Sequence, residues 1–312
     1  MKSYDIAGKK LSAMSLGTVQ LGMNYGIANK GGQPKEEQSF EMLRCALDSG
    51  ITSLDTARAY GNSEEVLGRF FKTYEGEVPF ITTKVIDIEG ETEAEVEKSV
   101  FSIAETSLEK LGLKKVNCIM LHQASSLFEK GAWVASAMEK LVKAGYTDVV
   151  GASVYEAREL EKMFEYDVYT ATQVPMSIFD QRLIACGMTD RLADRGITVF
   201  VRSVFLQGLF FLDPDTMDDP ILLEHAAPKI RLLRDCAEKE GMTVAELAIS
   251  YMRDVRGVTS LVLGADTAEQ VRANAAYFET KAVGEETRRL IEREFASVNI
   301  PEIMKVLSRP KK

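Results

Sequence analysis

The sequence predicts a (β/α)8 barrel, and three observations predict it. Eight short apolar runs can be marked along the chain, most followed by a stretch of helical periodicity. The runs are continuously apolar rather than alternating, as in parallel strands buried on both faces. The segment GTVQLG, after the first run, lacks the GxGxxG spacing that an open dinucleotide-binding sheet favours there. At 312 residues the chain is long enough for one such unit, so residues 1–312 are read as a single domain.

The elements follow in order. SYDIAGKKLS reads as a small hairpin closing the barrel's bottom. SAMSLGT (12–18) is the first barrel strand, leading to the helix EEQSFEMLRCALDSG. ITSLDT (51–56) leads to NSEEVLGRFFK, where Asn62 or Ser63 can cap the helix and Glu64 and Glu65 suit its first turn. FITTKV (80–85) precedes the amphipathic EAEVEKSVFSIAETSLEKLG, which Gly112 can terminate. VNCIMLH (116–122) leads to WVASAMEKLVKAG, and DVVGAS (148–153) to EARELEKMF. TATQVPMS (170–177) precedes a less regular helical region ending near Gly196. ITVFVRS (197–203) is followed by an insertion, LQGLFFLDPDTMDDPI, then by helices LLEHAAPKIRLLRDCAEKEG and TVAELAISYMRD. SLVLGA (260–265) leads to TAEQVRANAAYF, and a last helix, EETRRLIEREF, precedes a basic tail.

Composition narrows the function classes. A hydrophobic content of 46% and a charged content of 27% are ordinary for a globular protein. No apolar run approaches the roughly 18–20 residues of a membrane span, and MKSYDIAGKKLS lacks the apolar region of a secretory signal. A net charge of −9 argues against nucleic acid as a partner. Cys45, Cys118, Cys186 and Cys236 lie far apart without a CxxC pair or metal-like spacing, which points to free thiols in a reducing cytoplasm. The sequence gives no signal of oligomeric state.

Four polar residues stand at or just beyond the ends of successive strands: Asp55 after ITSL, Tyr60 in the turn that follows, Lys84 after FITT, and His122 after VNCIML. Singly, each has a plainer explanation: a structural ion pair, a packed ring, a satisfied imidazole. Together on the carboxyl-terminal rim of one barrel they are the equipment for protonating a carbonyl oxygen. Tyr60 would supply the proton. Lys84 would stabilise the phenolate and bring the phenol pKa toward working pH. Asp55 would hold Lys84, and His122 would orient the substrate oxygen. The other histidine, His225, has no partner in view and reads as a surface or packing residue.

The chain resembles the aldo-keto reductases over nearly its whole length. LGTVQLG looks like that family's opening motif and LDTARAYGNSEEVLG its most specific signature; ITTKV, MLHQ, GAS, TQVPMS and GADTAEQVRAN follow in the expected order. The resemblance implies a metal-free barrel that interconverts carbonyls and alcohols with NADP(H), or alternatively NAD(H), using Asp55, Tyr60, Lys84 and His122. It also implies cofactor contacts. Ser153 and Gln173 would hold the nicotinamide carboxamide, with Thr18 and Asp55 nearby. Ser203 and Gly208 would meet the pyrophosphate, and Gly264, Gln270 and Asn274 the adenosine. Arg202 occupies a position where the family often stacks an aromatic ring on the nicotinamide. Its planar guanidinium suits the same stacking, or an anionic substrate. Asp266 stands where many members contact the adenosine 2′-phosphate, and a carboxylate there favours a ribose hydroxyl over a phosphate. Capping the helix TAEQVRANAAYF is its other reading.

Two rivals are a nicotinamide-binding sensor barrel with little turnover and a metal-dependent lyase or isomerase. A complete tetrad disfavours the first, and a total of two histidines disfavours the second. The substrate-facing segments QASSLFEKGAW, VFLQGLFFLDPDTMDDP and VNIPEIMKVLSRPKK would select the substrate. The likeness of LGTVQLGMNYGIANK to members found among surface-polysaccharide genes implies a small sugar-like carbonyl compound.

Overall fold

In the computed structural model, which describes residues 1–29 and 31–309, two antiparallel strands, β1 (Ser3–Ile6) and β2 (Lys9–Ser12), open the chain. Ala7 and Gly8 join them, both at positive φ, as a tight hairpin turn requires. Eight parallel strands follow: β3 (Met14–Gly17), β4 (Ser53–Asp55), β5 (Phe80–Val85), β6 (Val116–Leu121), β7 (Thr147–Ser153), β8 (Tyr169–Pro175), β9 (Thr198–Arg202) and β10 (Ser260–Leu263). β10 pairs with β3 and closes the barrel. Each expected strand is present. The run SAMSLGT divides, with Ser12 ending the hairpin and the barrel strand beginning at Met14.

The barrel interior explains why polar groups gather at one end. Leu11, Phe80, Cys118, Met120, Val149, Ala171 and Phe200 form one buried cluster, with Ile6 of the hairpin packed against it from below. Side chains two apart on a strand share a face. Moving along that face toward the carboxyl ends, Phe80 is followed by Thr82 and Lys84, Ala171 by Gln173, Phe200 by Arg202, and Met120 by His122. The inward face is therefore apolar below and polar at its upper rim. A second, larger core fills the space between the strands and the surrounding helices.

Local signals in the sequence mostly act as expected. The helix Glu93–Leu111 starts at a Thr92/Glu95 capping box and ends at Gly112 in the left-handed conformation, φ 65°. Glu64 and Glu65 fall in the first turn of Ser63–Thr73 as expected, with Glu64 buried and accepting a 2.7 Å hydrogen bond from Thr83. Two expectations need correction. Asn62 takes the N-cap position of that helix, but neither its side chain nor that of Ser63 caps it: the Asn62 amide oxygen accepts from Gln33, and the Ser63 hydroxyl is drawn into the barrel rim. LLEHAAPKIRLLRDCAEKEG is two helices, Pro220–His225 and Ala227–Glu240, because Pro228 has no N–H to continue the first.

The insertion after β9 folds as a 3-10 turn, Leu206–Phe211, and the segment after EETRRLIEREF forms a helix, Ile300–Leu307, capped by Asn299. The basic tail beyond Arg309 lies outside the described residues. No helix among those described is long and apolar enough to cross a membrane.

Candidate active site

The turn carrying Tyr60 is held by backbone contact. A Cβ added to Gly22 would lie 1.8 Å from the Tyr60 carbonyl oxygen, so only glycine fits there. Beneath it, the Ser63 hydroxyl reaches the Thr18 hydroxyl at 2.8 Å and the Thr56 hydroxyl at 3.0 Å, and the Thr18 hydroxyl donates to the Asp55 carbonyl oxygen. This buried network ties the first two barrel strands' carboxyl ends to the helix after Tyr60, and it was not legible in the sequence.

Lys84 is fully buried. Its Nζ lies 2.9 Å from both Asp55 carboxylate oxygens, 2.9 Å from the Thr56 carbonyl oxygen and 3.4 Å from the Tyr60 hydroxyl. Burial works against the ammonium, but Asp55 and Tyr60 overcome it and raise the Lys84 pKa, so the lysine stays charged. Gln173 donates its side-chain N–H to Asp55 Oδ1 at 2.7 Å. The Asp55 carboxylate thus has two donors and a fixed orientation. The Tyr60 and His122 rings meet edge to face with centroids 5.7 Å apart.

The expectation for the phenol pKa requires correction. Burial raises the Tyr60 pKa above its usual 10.0, and the lowering by Lys84 does not offset it. The phenol is therefore protonated at neutral pH and equipped to give a proton. His122 is pushed down to about 4, first by burial and then by the positive charges of Lys84 and Arg202. It is neutral at physiological pH, and its Nδ1 is buried without a hydrogen-bond partner among the described residues.

The tetrad opens into a cavity of 610 Å³, within the range of roughly 300–1,000 Å³ usual for ligand pockets. Thr18, Asp55, Ser153, Gln173, Arg202, Ser203, Gly208, Gly264, Asp266, Gln270 and Asn274 all line it, so every expected cofactor position falls on one continuous surface. Thr267, not Asp266, caps the helix Ala268–Tyr277, accepting from the Gln270 N–H; this corrects the capping alternative. Gln270 in turn accepts from the Asp266 N–H at 2.8 Å. His225 lies away from this surface, half-buried at the end of its helix.

The segment after Arg202 bends sharply. Ser203, Leu206, Gln207 and Gly208 all have positive φ, and a Cβ on Gly208 would come within 2.6 Å of Ala28 Cβ. The Ile27 N–H bonds the Gln207 carbonyl oxygen at 2.9 Å, so two loops meet beside the cavity. Tyr25 and Tyr155 also line it and were missed; they sit just past the recognisable motifs, in loops without a periodic signal.

An elongated nicotinamide dinucleotide fits these residues. Buried polar atoms without partners, His122 Nδ1 near the tetrad and Gln20 Oε1 elsewhere in the lining, await hydrogen bonds, and the lining offers amide and hydroxyl groups along the cavity. No group of three or more potential metal ligands occurs among the described residues.

Comparison with known proteins agrees with this geometry. The model of the Aldo/keto reductase family matches residues 13–293. L-glyceraldehyde 3-phosphate reductase of Escherichia coli is 26% identical over 306 residues, covering 86% of this chain and 84% of that protein. An NADH-specific methylglyoxal reductase from the same organism is 27% identical over 301 residues, with 85% and 89% covered. Among solved structures, the holo form of an aldo-keto reductase from Bacillus halodurans superposes with a TM-score of 0.75 at 20% identity, covering 94% of this chain and 96% of that one, which shows the shared barrel. The chain belongs to the aldo/keto reductase family and is a nicotinamide-dependent oxidoreductase of carbonyl and alcohol groups.

Proposed function

We propose that the enzyme reduces a small sugar-derived aldehyde or ketone in the cytoplasm, with Tyr60 as general acid, and that it uses NADP(H), or alternatively NAD(H). A bound reduced nicotinamide supplies the hydride. As negative charge develops on the carbonyl oxygen, Tyr60 gives it the phenolic proton. Lys84, 3.4 Å from that hydroxyl, stabilises the phenolate left behind, and Asp55 keeps the ammonium in place. His122, neutral and with a free nitrogen, holds the substrate oxygen against Tyr60. Ser153 and the Gln173 carbonyl oxygen hold the nicotinamide amide, Thr18 and Asp55 bound that end of the cavity, Ser203 and Gly208 border the pyrophosphate, and Gly264, Gln270 and Asn274 the adenosine.

The observation that carries this reading is the convergence of Lys84 and Tyr60 beside His122 at a single cavity mouth. Cofactor choice turns on Asp266, which lines the cavity with Gln270 and Asn274. A carboxylate at the adenosine repels a 2′-phosphate and accepts from a ribose hydroxyl, which is the ground for the NAD(H) alternative. The sugar-like substrate draws on the similarity to the L-glyceraldehyde 3-phosphate reductase. Free thiols at Cys45, Cys118, Cys186 and Cys236 support a reducing compartment.

The test is the loss of reduced-nicotinamide absorbance with each cofactor against a panel of sugar aldehydes, ketoses and simple carbonyls. Turnover on several members with a reduced nicotinamide cofactor is expected. Cofactor binding without turnover of any carbonyl or alcohol would favour the sensor instead.

A further inference from the structure

Arg202 ends β9 on the inward face, at the mouth that Tyr60 and His122 occupy. One face of its guanidinium is covered: Cζ stands 4.3 Å over the Tyr155 ring. Nη1 is 3.4 Å from the Ser203 hydroxyl, which is its hydrogen-bond partner among the described residues. Nη2 is buried without a hydrogen-bond partner among the described residues. A guanidinium carries five N–H donors in a plane, and a buried donor left unpaired is costly. Among the described residues, neither of the two carboxylates lining the cavity is Arg202's counter-ion: Asp55 is committed to Lys84 and Gln173, and Asp266 makes no ion pair with Arg202.

We propose that Arg202 selects the substrate, its open in-plane edge binding a carboxylate or phosphate group on the carbonyl compound. This rests on the reading of the mouth as the carbonyl site. Tyr155 covers one face of the guanidinium, and the in-plane edge of N–H donors is suited to a planar or tetrahedral oxyanion. The charge of Arg202 bears on Tyr60, Tyr25 and His122, all at the reactive end, which places the anion beside the reacting carbonyl. The pyrophosphate of the cofactor is the other source of the same chemistry, and the experiment separates the two.

Two matched pairs serve as probes: succinic semialdehyde against butanal, and a three-carbon aldehyde phosphate against the free aldehyde. The quantity read is the ratio of kcat/KM for the anionic member to that for the neutral one. The wild type is expected to favour the anionic member of at least one pair, and Arg202→Met to lower that ratio on the order of 10–100-fold, the loss typical of a charge-assisted hydrogen bond. Arg202→Lys, which keeps charge without the planar fork, should retain part of the ratio and serves equally if the methionine variant does not fold.

Cofactor dissociation constants are measured alongside. A ratio unmoved by substitution while cofactor binding weakens assigns Arg202 to the pyrophosphate and overturns the proposal, as does a wild type indifferent to the anion in both pairs. Calorimetric binding of γ-hydroxybutyrate to the cofactor complex needs no turnover. Weaker binding to Arg202→Met supports the assignment even if no carbonyl in the panel is reduced; equal binding overturns it.

Discussion

Lys84 Nζ lies 2.9 Å from each carboxylate oxygen of Asp55, and their side chains are 0% and 3% exposed. A pair so deeply placed is asymmetric in its consequences. Removing one partner strands the other charge, which typically costs about 3–5 kcal/mol, whereas replacing both costs less. Lys84→Met should therefore lower unfolding stability strongly, and the Lys84→Met/Asp55→Asn double variant should recover part of the loss. Denaturant unfolding of the four proteins in that cycle measures it. Both the single and double variants should lack turnover. Additive stability losses would show that the two groups do not act as a pair.

His122 gives a pH signature. Its pKa falls from 6.5 in the unfolded chain to about 4 in the folded one. Between those values the unfolded state binds a proton that the folded state refuses, so stability is present above about 6.5 and is lost as pH falls toward about 4. His122→Asn should flatten this part of the stability–pH curve. Denaturant midpoints at several pH values across the window check it, and identical slopes for wild type and variant would contradict a neutral buried imidazole.

Gly22 tests how the turn bearing Tyr60 is held. A methyl group there would meet the Tyr60 carbonyl oxygen at 1.8 Å and the Ser63 nitrogen at 2.6 Å, both backbone atoms that cannot simply rotate aside. Gly22→Ala should cost at least the roughly 1–3 kcal/mol usual for overpacking and displace Tyr60. Turnover should fall further than cofactor binding. An active, stable alanine variant would show the two segments free to separate.

At Asp266 the expectation concerns cofactor choice. Asp266→Arg would replace a repelling carboxylate with a charge-assisted donor for a 2′-phosphate. The ratio of dissociation constants should move toward NADP(H) by roughly tenfold or more, for which about 1.4 kcal/mol suffices. Because Thr267 holds the cap, the substitution should leave the helix start intact. An unchanged ratio would mean that Asp266 does not face the adenosine ribose.

Much of the barrel was legible because its parallel strands are short, largely apolar and each followed by a helical stretch, and because Gly112 ends a long helix as its sequence signal implies. The positions of the four rim residues were legible because Asp55, Lys84 and His122 stand at or just past the ends of apolar runs, with Tyr60 in the turn after the first of them. What could not be read depends on contacts between distant segments. Ser63 looks like a helix cap until Thr18 and Thr56 are seen beside it. The direction of the Tyr60 pKa required knowing how much burial opposes Lys84, a quantity no spacing encodes. Tyr25 and Tyr155 lie in irregular loops, whose side-chain directions follow from tertiary packing alone.

The most direct measurement is the turnover of Tyr60→Phe beside its affinity for the reduced cofactor. The phenol is the proposed proton donor and touches Lys84 at 3.4 Å, while the ring packs on His122. Phenylalanine keeps the ring and removes only the hydroxyl. Carbonyl reduction should fall on the order of 10²–10⁴-fold, as removal of a general acid does, with cofactor binding nearly unchanged. A Tyr60→Phe enzyme that turns over within a few-fold of wild type would contradict the account.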